Sequence, residues 1–145
     1  MIDAYSPHYP TAEIAKRAET LPKGLMRIQA AVDAAVPPIW FFDRNLADIA
    51  ISNAVHNSLV YARSVITIRA DLVDGMLGLS VRDDSNGYPT HILEALANGE
   101  PFASGGTGLG LRLAQMIAEA HANKGQCGQL RLANAPGAVF SLLLP

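Results

Sequence analysis

Three clusters of residues have the types and spacing to handle a small, charged molecule. The run Gly105-Gly106-Thr107-Gly108-Leu109-Gly110-Leu111 passes without a break into the apolar-periodic stretch Leu113, Ala114, Met116, Ile117, Ala120. A helix N-terminus leaves backbone N–H groups unpaired and carries a partial positive charge, while glycines admit close approach, so this junction suits an anion, phosphate above all. It is not a P-loop, which needs a Gly-Lys-Ser/Thr ending. Nor is it a dinucleotide fingerprint, because Pro101-Phe102-Ala103-Ser104 before it reads as loop rather than strand. A flexible linker is the other reading, but linkers seldom lead into a well-formed helix.

The second cluster lies on a helix predicted from about Leu46 to Ala62, which Asp43 or Asn45 can cap. At 100° per residue Leu46, Ile49, Ala50, Ala54 and Tyr61 share one arc, and Asn53 and Asn57 fall inside it. A buried amide without a partner costs about 1–3 kcal/mol, so two of them four residues apart either line a pocket or cap nearby backbone groups. An amide oxygen is a fair ligand for Mg²⁺, which commonly binds through few protein groups together with substrate phosphates and water. The third cluster is Val81-Arg82-Asp83-Asp84-Ser85-Asn86-Gly87-Tyr88-Pro89. A strand that ends in a carboxylate and breaks at glycine and proline presents that acid at the sheet edge, able to accept from an exocyclic amine; a plain polar turn is the competing reading.

Positioning these clusters requires a sheet and helices. Residues 11–35 favour two helices, one carrying Ile14, Ala15, Ala18 and Leu21, the other Leu25, Ile28, Val32 and Ala35 after Pro22. Pro37-Pro38 ends the second, and Ile39-Trp40-Phe41-Phe42 reads as a short strand. Val65–Ala70 and Leu77–Val81 form a hairpin around Val73-Asp74-Gly75, and Gln129–Ala133 and Ala138–Leu144 a second around Asn134-Ala135-Pro136-Gly137. Between them lie a turn-rich functional loop from Asp83 to Gly105, with a short helix near Ile92–Ala97, and a helix over 109–121. The order predicts an α+β fold: a two-layer α/β sandwich with a mixed, mostly antiparallel sheet and helices on one face. A helical segment over 1–37 would precede a domain over 38–145.

Composition narrows the function classes. The chain has 145 residues, half of them apolar, enough for one domain with a real core. A formal charge of −2 without a basic stripe argues against nucleic acid as a partner and gives little attraction to anionic lipid. No apolar run reaches the roughly 20 residues of a membrane span and no signal peptide is visible, so the chain reads as soluble and cytoplasmic. The single cysteine, Cys127, excludes an internal disulfide and reads as a small buried thiol in a strand.

In this chain order the three clusters resemble the ATP-binding catalytic domain of sensor histidine kinases, within the superfamily that includes gyrase, the Hsp90 chaperones and the MutL mismatch-repair proteins. Asn53-Ala54-Val55-His56-Asn57-Ser58-Leu59-Val60-Tyr61 resembles the N box, Asp83-Asp84-Ser85-Asn86-Gly87-Tyr88-Pro89 the G1 box, and Gly106-Thr107-Gly108-Leu109-Gly110-Leu111 the G2 box. The closing Gly137–Pro145 matches the family's terminal strand, and the likeness runs over about residues 38–145. The resemblance implies a Bergerat-type fold binding ATP and Mg²⁺. Asn57 would ligate the metal, Asn53 would support metal or phosphates, and Asp83 would accept the adenine amino group. Gly87 would let the loop pass close to the base. Gly106, Thr107, Gly108, Leu109 and Gly110 would cradle the phosphates beneath a lid over about 90–105.

Departures from the family pattern stand beside these matches. Val60 occupies the place of a lysine or arginine, Ser85 that of the first G1 glycine, and Ala138 that of a threonine that usually supports the adenine-binding aspartate. Asn53 stands where hydrolysing relatives carry a glutamate, so no general base for water is evident and no catalytic residue is identified. No phosphoacceptor segment of the His-Glu-x-x-Thr-Pro type occurs, and His56 and His121 read as structural. The resemblance implies a γ-phosphoryl donor working within a longer sensor or on a partner that supplies the histidine, in a response-regulator pathway. A docking module that has lost nucleotide binding and a serine kinase like the anti-sigma factors are the alternatives. The N-terminal helices are candidates for a dimer contact, a linker or a dimerisation remnant, and their apolar spacing does not separate these.

Overall fold

The computed structural model describes residues 26–100 and 106–145. Their strands are β1 (Arg27–Val32), β2 (Val65–Val73), β3 (Met76–Asp83), β4 (Ala122–Asn123), β5 (Gln126–Cys127), β6 (Gln129–Asn134) and β7 (Ala138–Leu144). Their helices are α1 (Arg44–Tyr61), α2 (Thr90–Asn98) and α3 (Gly106–Ala120).

Both predicted hairpins form. Asp74 and Gly75 take positive φ (53° and 76°) between the paired residues Val73 and Met76, the two-residue geometry that matches strand twist. The main sheet runs β1-β2-β3-β7-β6, antiparallel except for the parallel β1–β2 pair. Alternation then assigns the faces. Ile66, Ala70, Leu77, Leu79, Val81, Phe140, Leu142 and Leu144 are buried in one core with Ala47, Ile51, Val55 and Leu59 of α1 and Leu111, Ala114, Ile117 and Ala118 of α3. On the opposite face Thr67, Arg69, Asp71, Ser80, Arg82 and Ser141 line an open groove of about 360 Å³. The two-layer sandwich with helices on one face is therefore the observed fold.

Several expectations are corrected. The predicted second N-terminal helix is replaced over Arg27–Val32 by strand β1, paired with Val65–Ala70. Pairing with β2 overrides the local helical spacing, and β1 is a largely exposed edge strand whose alternation carries almost no apolar signal. The predicted first helix lies outside the described residues. Ile39–Phe42 is not a strand: Trp40 and Phe42 pack on the core while Ile39 and Phe41 are exposed, so the alternation is present but no neighbouring strand pairs with it. Cys127 lies in a strand, as expected, but the two-stranded β4–β5 ribbon leaves it exposed.

Candidate functional site

Helix α1 begins at the Asp43 cap, whose side chain accepts from the Leu46 N–H at 3.0 Å. His121, just past α3, ties the end of that helix to the start of α1: its Nε2 accepts from the Asp43 N–H at 3.0 Å and its Nδ1 donates to the Ile117 carbonyl at 2.8 Å. The structural reading of His121 thus has a definite content, and His56 is exposed as expected.

The buried arc of α1 is rotated from the predicted one. Ala47, Ala50, Ile51, Ala54, Val55, Ser58 and Leu59 face the core, whereas Ile49 and Tyr61 are exposed and Asn53 and Asn57 are half-buried on one flank. The two amides therefore do not sit in the core, and neither side chain is held by a hydrogen bond among the described residues. That flank faces α3: a Cβ placed on Gly110 would lie 3.8 Å from the Asn53 Cβ. On the other flank Asp48 Oδ1 and Ser52 Oγ are buried without partners among the described residues, and burial raises the Asp48 carboxyl pKa against the opposing charge of Arg44.

Helix α3 starts at Gly106, three residues before its predicted beginning, so the glycine run is the first turn itself. The N–H groups of that turn have no partner within the helix, and no acidic residue in it offsets the positive end of the dipole. The side chains of residues 106–108 lie outside the description, as do residues 101–105 of the expected lid; the rest of that stretch forms α2, closed by Gly99 in the left-handed region (φ 68°).

Asp83, the last residue of β3, is buried at 7 % exposure on the core face. Its Oδ1 accepts from the Ser85 N–H at 2.9 Å and the Ala138 N–H at 3.2 Å, and its Oδ2 from the Ser58 hydroxyl at 2.8 Å. A carboxylate offers about four lone-pair sites, so one acceptor position remains beyond these three bonds. Tyr88 is raised by burial and, after that, by the Asp83 charge. Ser85 does not require the conformation of the glycine it replaces, since positive φ among the described non-glycine residues occurs only at Asp74 and Lys124. Instead its hydroxyl accepts from the Gly87 N–H at 3.1 Å and shapes the turn. Gly87 does need to be glycine: its φ is 85° and a Cβ would sit 2.5 Å from the Asn134 side chain. Asn134 clamps this loop by accepting from the Tyr88 N–H and donating to the Tyr88 carbonyl. Within the described residues the close approach at Gly87 is therefore to Asn134.

The neighbouring carboxylate has a different task. Burial disfavours charge on Asp84, but hydrogen bonds from the Ser64 hydroxyl and the N–H groups of Ser64, Val65 and Arg63 outweigh it and hold the carboxyl well below the usual carboxylate range. Arg63 also bonds Asn86, so the loop after α1 is fastened to the loop after β3.

The three predicted clusters thus meet around α1, with Asp83 tied to Ser58 beside Asn57, and Gly110 against Asn53. Sequence reasoning missed Ser58, Asn134 and the connecting role of His121. Of these, Ser58 alone had a readable signal, a hydroxyl on the arc of Ala47, Ile51, Ala54 and Val55. The profile of the histidine kinase-, DNA gyrase B- and HSP90-like ATPases matches residues 42–145. The chain belongs to this ATPase family. Solved structures with the same fold include the Acinetobacter baumannii histidine kinase AdeS (TM-score 0.63, 19 % identity, 92 % of this chain and 59 % of that one). ShkA, a full-length structure in complex with AMPPNP, gives a TM-score of 0.70 at 24 % identity over 92 % of this chain and 28 % of that one. The mycobacterial sensor histidine kinase MprB gives 0.63 at 22 % identity, with 93 % of each chain covered. The chain therefore spans little more than half of AdeS and about a quarter of ShkA. No curated protein matches it in sequence. Among the described residues no helix is long and apolar enough to cross a membrane, and no three His, Cys, Asp or Glu side chains group as metal ligands.

Proposed function

We propose that the chain is the ATP–Mg²⁺-binding catalytic domain of a cytoplasmic two-component sensor histidine kinase, donating the γ-phosphoryl group to a histidine on another domain or chain. The observation that carries this reading is the spare acceptor on buried Asp83, bonded to the same helix whose Asn53 flank meets the first turns of α3. Asp83 receives the adenine amino group. The free N–H groups of Gly106, Thr107 and Gly108 receive phosphate oxygens, and Leu109 and Gly110 complete that turn, with Gly110 beside Asn53. The donor set fits the metal too: a half-buried amide oxygen on Asn57 without a carboxylate cluster suits an ion held largely by phosphates and water. Bound there, Mg²⁺ would neutralise charge on the transferring group, which is most of what phosphoryl transfer asks of a protein. Asn53 cannot act as a base, so hydrolysis in the absence of an acceptor is expected to be slow.

Titration of a non-hydrolysable ATP analogue with and without Mg²⁺ tests the assignment. Asp83→Asn is expected to weaken binding about 10- to 100-fold, the loss of a hydrogen bond to a charged group, whether or not metal is present. Asn57→Ala should instead erase the gain that Mg²⁺ brings. Tight binding unaffected by metal and by both substitutions overturns the reading. Of the departures that favour a docking module without nucleotide, Ser85 and Ala138 keep their backbone N–H groups on Asp83, so the carboxylate stays anchored to both segments.

A further inference from the structure

We infer that Ser58 positions the Asp83 carboxylate for a purine amino group, supplying from α1 the hydroxyl that β7 lacks at Ala138. This rests on the reading of the site given above. The register that pairs Arg82 with Val139 brings residue 138 level with Asp83, and the alternation along β7 puts it on the same core-facing side as Phe140, Leu142 and Leu144. A hydroxyl at 138 would stand beside the carboxylate. Alanine offers only its backbone N–H, 3.2 Å from Oδ1. Without another donor both bonds to Asp83 would fall on Oδ1, from Ser85 and Ala138, and Oδ2 would be buried with its two acceptor sites empty.

Ser58 changes that. Its hydroxyl, on a residue only 5 % exposed, donates to Oδ2 at 2.8 Å. The carboxylate plane is then held from two sides, by the strand-end amides and by the helix, and a single acceptor site on Oδ2 is left. Because the serine proton is committed to Asp83, that site can only accept. An exocyclic amine such as that of adenine satisfies it, whereas the oxygen of guanine in the same place meets a second acceptor. Ser58 is thus a positioning residue that selects the base through Asp83.

The test is the affinity of the intact chain for a non-hydrolysable ATP analogue and its guanine counterpart. Ser58→Ala is expected to weaken the adenine analogue about five- to tenfold, the worth of one net hydrogen bond, and to lower the adenine-to-guanine ratio by the same factor. Ser58→Ala/Ala138→Thr returns the hydroxyl from the strand, where a β-branched residue is well accommodated, and should restore both values to within about twofold. A purely structural serine would lower the unfolding temperature and leave the affinity of the folded protein and the base ratio unchanged. If Ser58→Ala does not fold, Ser58→Cys, with its weaker donor, must shift affinity and ratio in the same direction. Wild-type binding with an unchanged ratio in these variants, or a loss that Ala138→Thr does not repair, overturns the role of Ser58 while leaving the site's reading intact. No binding of either analogue by the wild-type chain overturns both.

Discussion

The two ends of the site are built on different terms. At the end of β3 the Asp83 carboxylate is buried and held by three donors, and the loop after it is pinned by Ser85, Asn134 and Arg63. At the other end are the orphan backbone N–H groups that start α3 and, on the α1 flank that meets Gly110, two half-buried asparagines without side-chain partners among the described residues. One end is organised before any ligand arrives; the other offers its groups and leaves a ligand to order them. If, as proposed, the organised end receives the base, rigidity there preserves selectivity, because a carboxylate free to turn would accept from any donor. Openness at the other end suits a charged group that brings its own metal and water.

The largest effect is expected where the organised end has no room. A Cβ at Gly137 would lie 2.0 Å from the Asp83 carbonyl oxygen and 2.9 Å from its carbon, so Gly137→Ala must displace backbone at the end of β3. Overpacking of this kind costs about 1–3 kcal/mol, and thermal unfolding should fall by several degrees together with affinity for the ATP analogue. A variant as stable as wild type would show that this end is softer than its hydrogen bonds suggest.

Asp84→Asn sharpens the same contrast through pH. The folded-state pKa of Asp84 lies below its unfolded value, near 3.9, so its contribution is complete above that value and is lost as pH falls through the folded one. Urea unfolding should find the variant about 1 kcal/mol less stable at pH 7, a modest figure because the group is only partly shielded from solvent, with the gap closing toward pH 3 and below. A gap that persists undiminished in acid removes the charge from the account.

How much of this was legible in the sequence follows the same division. The hairpins, the helix over Asn53 and Asn57 and the glycine turn were readable because their signals are local: alternation, turn residues and helical spacing. Strand β1 was not, since Arg27–Val32 becomes a strand only by pairing with residues almost forty positions later. The arc of α1 was misplaced because Ile49 and Tyr61 are apolar yet exposed, and they drew it toward the flank of the asparagines. Asp83 was found as a strand-end acid. Its partners were not, because Ser58 reaches it across 25 residues and Ala138 across 55.

The smallest expected change tests the open end. Asn53→Ala keeps the Cβ that faces Gly110, removes an amide that no described residue holds, and replaces asparagine by a better helix former. Stability should stay within about 0.5 kcal/mol of wild type, with the unfolding temperature unchanged or slightly raised. Affinity should separate by ligand: the triphosphate analogue weakens a few-fold, while adenosine, which in the proposed site would touch only the carboxylate end, binds as before. Should Asn53→Ala unfold as readily as Gly137→Ala, the asparagine is part of the framework. The division between an organised and an open end would then fail at that residue.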